Sequence, residues 1–109
     1  MEPATPDGPV EIQVTCGSRD EADAIADRLV DGRLAACVQQ VPIRSTYRWQ
    51  GGVEHDDEVL LLVKTTRARY RAVETAVLAA HSYDVPAITC VPIVAGSDDY
   101  LAWIEAETS

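Results

Sequence analysis

The chain has no phenylalanine and no asparagine, and only nine lysines and arginines against eighteen aspartates and glutamates. At a formal net charge of −9 it lacks the basic patch that holds nucleic acid through phosphates, so no nucleic-acid partner is expected. No apolar run approaches the roughly 20 residues of a membrane span, which argues against a membrane partner. Its three cysteines, Cys16, Cys37 and Cys90, are odd in number and form no C-x-x-C pair. That usage fits free thiols in a reducing compartment better than a disulfide framework. Residues 1–9 lack the basic start and apolar core of a signal peptide, and the expected location is cytoplasmic. Also missing are a G-x-S-x-G elbow, an H-E-x-x-H pair and a glycine-rich phosphate loop. With His55 and His81 as the only histidines, no enzyme and no organic cofactor are expected.

What is present fits one small domain. At 109 residues and 11.8 kDa, residues 1–9 read as a disordered lead rich in proline and residues 10–109 as a single domain. Val10, Ile12 and Val14 alternate with Glu11, Gln13 and Thr15 as a strand does. Ser18 and Glu21 have capping-box spacing, with Glu21 expected to reach back to Ser18. The stripe Ala22, Ile25, Ala26, Leu29, Val30 then forms a helix that Gly32 is placed to end. Asp20, Asp23, Asp27 and Asp31 lie along the same helix as a solvated face.

A long hairpin follows. Val41, Ile43, Ser45, Tyr47 and Trp49 share one face and Arg44, Thr46 and Arg48 the other, while Gly51-Gly52 is assigned the positive-φ turn. Its return strand contains the unbroken apolar run Val59 to Val63, which requires cover on both faces. Thr66 is expected to cap a second helix with Tyr70, Val73, Val77 and Ala80 inward. Ile88 to Val94 reads as an edge strand because it contains Pro92, and Ser97-Asp98-Asp99 opens a short last helix. The predicted fold is α+β, a ferredoxin-like βαββαβ arrangement with a long central hairpin and a short C-terminal helix. We read the first and third strands as parallel neighbours, which brings Cys16 and Lys64 to one end of the sheet together with His81, Tyr83 and Asp84. Cys37 and Cys90, within apolar strand patterns, are expected to be buried packing residues.

Two groups of residues stand out chemically. Cys16 and His81 are donors that favour copper or zinc over magnesium or calcium, though two protein ligands alone make a weak site. Trp49, Glu58, Lys64, Tyr83 and Asp84 combine an ammonium, acids and amphipathic aromatics, the makings of a pocket for a small anion or polar ligand.

The segments Leu34-Ala35-Ala36-Cys37-Val38, Ser45-x-Tyr47-x-Trp49-x-Gly51 and Glu58-x-x-Leu61-x-x-Lys64-Thr65 resemble the divalent-cation tolerance (CutA) family. Val85-Pro86 after His81-Ser82-Tyr83, and Tyr100-Leu101-Ala102-Trp103, extend the resemblance over residues 10–104. It implies a homotrimer, a non-enzymatic role in the response to metal ions, and a divalent copper ion held through Cys16 and His81. The pattern departs from the family at Ala80, where some members carry a second histidine. It departs again at Ser82 in place of proline and at Ala87 in place of an acid. The alternative is a signalling or scaffold module of the P-II type, binding a small effector between subunits. An acylphosphatase-type enzyme is set aside because its asparagine has no counterpart here.

Overall fold

The computed structural model describes residues 8–109, and residues 1–7 of the expected lead lie outside the described residues. Gly8 and Pro9 already belong to the fold, since β1 runs Pro9–Cys16. Arg67 donates its backbone N–H to the Gly8 carbonyl at 2.9 Å, and Ile93 donates to that of Pro9 at 3.1 Å. The elements continue as α1 (Arg19–Asp31), β2 (Cys37–Trp49), β3 (Gly52–Thr66), a 3₁₀ turn (Arg67–Arg69), α2 (Tyr70–Ala80), β4 (Ile88–Pro92) and α3 (Asp98–Glu107). This is the expected βαββαβ order with a closing helix.

The sheet order is β2-β3-β1-β4, and every neighbouring pair is antiparallel. The expected parallel pairing of the first and third strands is therefore wrong. Inserting β3 between β1 and β2 makes it run against both, so Cys16 lies opposite Val59, and Lys64 lies opposite Glu11 at the other end. β4 does run antiparallel beside β1 at an edge, which suits the proline at its end.

The core lies between the sheet and the helices α1 and α2. The even-numbered residues of β1, from Val10 to Cys16, and Leu61 and Val63 of β3 face Ile25 and Leu29 of α1 and Val73 and Val77 of α2. Fully burying each of the larger side chains contributes about 1.5–3 kcal/mol. Three local details differ from the sequence reading. Gly32 ends α1 as expected, its N–H bonded to the Arg28 carbonyl at 3.1 Å, but Arg33 after it takes the left-handed conformation (φ 58°), and the backbone N–H groups of Leu34 and Ala35 cap the Leu29 carbonyl. The helix after Thr66 begins as a 3₁₀ turn without a side-chain cap, and Ala76 rather than Ala80 joins its buried face. Cys37 is half-buried and Cys90 exposed, because β2 and β4 are both edge strands.

Candidate functional site

The hairpin's two strands pair from Cys37↔Lys64 to Trp49↔Gly52, but β1 accompanies β3 only as far as Val59. Ile43 to Glu58 is thus a two-stranded ribbon extending past the sheet. Its turn is made by Gln50 (φ 50°) and Gly51 (φ 82°), the positive pair of a two-residue hairpin loop. Gly52 belongs to the strand. Along one face of the ribbon, from Glu58 at its base to Trp49 beside the turn, and against the segment before β4, the chain forms a cavity of about 470 Å³. Trp49, Glu58, Tyr83 and Asp84 all line it, joined by Thr15, Ser45, Tyr47, Val85 and Ala87. Lys64 does not; it makes an ion pair with Glu11, at the other end of β1.

The side chains around the cavity are held by hydrogen bonds. Tyr83 donates its hydroxyl to Glu58 at 2.8 Å, and Tyr47 donates to Asp56. Both phenols resist ionisation. Burial, then the Glu58 carboxylate, pushes Tyr83 well above the tyrosine range, and the hydrogen bond to Asp56 pushes Tyr47 up to about 12. The lining contains two carboxylates and two phenols, and no lysine or arginine.

His81 is fixed behind Tyr83, with ring centroids 4.8 Å apart. Its Nε2 lies 2.7 Å from the Thr15 carbonyl oxygen, and the Tyr83 backbone N–H donates to its Nδ1 at 3.1 Å. Glu21, expected to close the capping box, instead accepts from the Ser82 backbone N–H at 3.0 Å and its hydroxyl at 2.7 Å. Burial alone would raise the Glu21 carboxyl; the two Ser82 hydrogen bonds and nearby His81 outweigh it and leave it below the usual range. Ser18 keeps its half of the box, accepting the Glu21 backbone N–H at 3.2 Å.

A scan of protein families matches residues 10–107 to the CutA1 divalent ion tolerance protein. The chain belongs to this family. The divalent-cation tolerance protein CutA of Thermus thermophilus is 46% identical over 98 residues, covering 89% of this chain and 95% of its relative. The chloroplastic protein CutA of Arabidopsis thaliana is 40% identical over 100 residues, of which the chain spans 55% of the relative's length. The solved structure of the periplasmic divalent cation tolerance protein CutA from Archaeoglobus fulgidus superposes with a TM-score of 0.91 at 38% identity, covering 93% of this chain and 99% of that one.

Within this family fold, Cys16 and His81 are both held inside the protein. The Cys16 thiol is fully buried, and burial, with Glu21 and Glu58 nearby, pushes it up to about 11. His81 has both ring nitrogens engaged with the protein. Among the described residues no three His, Cys, Asp or Glu side chains converge as metal ligands. Thr15, Ser45, Tyr47, Val85 and Ala87 line the cavity without having been assigned to it from the sequence. The signal for Ser45 and Tyr47 was present, because they alternate on the same strand face as Trp49.

Proposed function

We propose that this chain is a non-enzymatic, homotrimeric member of the divalent-cation tolerance family that takes up a divalent cation, copper(II) foremost, at the acid-lined cavity. The observation that carries this reading is the lining: Glu58 and Asp84 face the cavity with the two phenols, and no cationic side chain offsets them. A cleft of one charge sign with low-dielectric walls concentrates counter-ions, and here those are cations. The same charge disfavours phosphate-bearing effectors, so the cavity speaks against an adenine nucleotide and the P-II reading. Three free thiols suit a reducing compartment, and we place the protein in the cytoplasm on that ground.

Oligomerisation follows from the sheet. Leu60 and Leu62 alternate with the buried Leu61 and Val63 and are only partly covered on the face away from α1 and α2. A second copy of the chain is the natural cover, and three-fold closure is the arrangement that the family resemblance implies.

Calorimetric titration of the chelator-treated protein with Cu²⁺, Zn²⁺ and an adenine-nucleotide panel tests the cation reading. Glu58→Gln and Asp84→Asn are each expected to weaken Cu²⁺ by about tenfold, or 1.4 kcal/mol. The Cys16→Ser/His81→Ala double variant measures what the softer donors add. Unchanged Cu²⁺ affinity in both carboxylate variants, with saturable nucleotide binding, would replace this reading by the regulator one.

A further inference from the structure

We propose a second ligand site at the other end of the molecule, a cavity lined by Arg67, Tyr70, Arg71 and Cys90 that binds a small tetrahedral oxyanion of the phosphate class. Its volume is about 390 Å³, ample for inorganic phosphate or a small phosphate monoester. The charge distribution is the first argument. In a chain of net charge −9 with nine cationic residues, three of them, Arg67, Arg69 and Arg71, fall within five positions. Arg69 is committed, donating its Nε–H to the Thr108 carbonyl at 2.7 Å. The other two line the cavity.

Their availability is the second argument. The Arg67 guanidinium enters no ion pair among the described residues, although its backbone is tied to Gly8. Arg71 pairs with Glu74 at 3.1 Å on a surface where such a pair contributes little, and its guanidinium sits 6.0 Å from the Tyr70 ring centroid. Two planar guanidinium forks on one wall match the oxygens of a phosphate, which a single ammonium would not. The backbone adds to them. The first turn of α2 carries no acid, so the positive end of its dipole is not offset by a carboxylate there. A sequence that places arginines where acids are favoured breaks a local rule, and a bound anion resolves it.

This site is independent of the acid-lined cavity. Arg67 follows β3 at the end where Thr66 pairs with Pro9, whereas the acidic cleft lies where Cys16 pairs with Val59. The opposite charge of the two linings assigns them opposite ligands.

The test uses the intact protein at constant ionic strength, titrated calorimetrically with inorganic phosphate, glycerol phosphate, sulfate and chloride. Saturable phosphate binding is expected, with Arg67→Gln and Arg71→Gln each weakening it by about tenfold. Glu74→Gln, which releases Arg71, is expected to tighten it. Glu58→Gln, at the opposite end of the molecule, is expected to leave phosphate affinity unchanged. Tighter binding of glycerol phosphate than of inorganic phosphate identifies a monoester as the ligand, and the reverse order identifies the free ion. Equal responses to phosphate and chloride, or unchanged affinity in Arg67→Gln, would overturn the assignment.

Discussion

Glu58 is 8% exposed, and a carboxylate so enclosed needs a donor close by. Tyr83 supplies it at 2.8 Å, reaching across from the segment before β4 to the base of the ribbon. Gly17 leaves room for this crossing, since a Cβ there would stand 2.7 Å from the Tyr83 hydroxyl. Tyr83→Phe is therefore expected to cost about 1–3 kcal/mol at neutral pH, because Glu58 loses its donor without leaving its enclosed position. Gly17→Ala is expected to cost less, by displacing the ring. The alkaline limb supplies an independent check. The folded-state value of Tyr83 lies above the unfolded value of about 10, so its stabilisation is intact below that pH and is lost as pH rises beyond it. Urea denaturation from pH 7 upward should show a shallower alkaline decline in Tyr83→Phe than in the wild type. Equal midpoints at neutral pH would mean that this hydrogen bond does not hold the cleft. At this scale the sequence revealed residue types but not their directions. Trp49, Glu58, Tyr83 and Asp84 share one cavity, while Lys64 was misplaced by one wrong strand direction, which moves a residue the full length of β1. The tie between Glu21 and Ser82 joins positions 61 apart, beyond what the spacing of a capping box can show.

The elements themselves were legible because their patterns are strong. Alternation in β1 and β2 and the apolar stripe of α1 are local signals, and each element formed where its pattern lay. Punctuation by glycine was legible to within one residue. Gly32 and the Gly51-Gly52 pair each mark the right turn, yet Arg33 and Gln50 take left-handed positions beside them. Register across the hairpin decides which residue turns, and that register is set by pairing over its whole length, from Cys37 to Trp49. The Gln50 position yields a sharp expectation. A residue without a short polar side chain costs about 1–2 kcal/mol in the left-handed region, whereas asparagine adopts it readily and completes the favoured Asn-Gly loop. Gln50→Asn is expected to raise stability by about 0.5–1 kcal/mol, read as a higher denaturant midpoint with an unchanged slope. A lower midpoint would show that the turn is not of this type.

On the scale of the whole molecule, the ribbon makes the chain longer than a compact domain of its size. Its extents are 44 × 33 × 22 Å and its radius of gyration is 14.6 Å, against about 13 Å expected for ~100 residues. Among the described residues the pairs from Ile43↔Glu58 to Trp49↔Gly52 have no third strand beside them, and an isolated two-stranded ribbon is marginal in water. Such a ribbon persists when something packs on it. Trp49 and Tyr47 are exposed on one face of it, so an apolar surface for that contact is already in place. The edges of β2 and β4 are likewise unpaired at opposite sides of one sheet, and such edges join neighbouring chains readily. One edge meeting the other is a heterologous contact, which closes into a ring when the rotation permits. The geometry calls only for association and three-fold closure is what the family resemblance implies, so light scattering at micromolar concentration is expected to give three times the 11.8 kDa chain mass. Trp49→Ala is expected to loosen the assembly by about 2–4 kcal/mol per contact, the loss typical of a buried interfacial tryptophan, and to make dissociation visible on dilution. A folded monomer of 11.8 kDa in the wild type, or a Trp49→Ala variant with unaltered dissociation, would remove the ribbon from the assembly. The ribbon would then have to be stable without a partner, contrary to the exposure of its own apolar face.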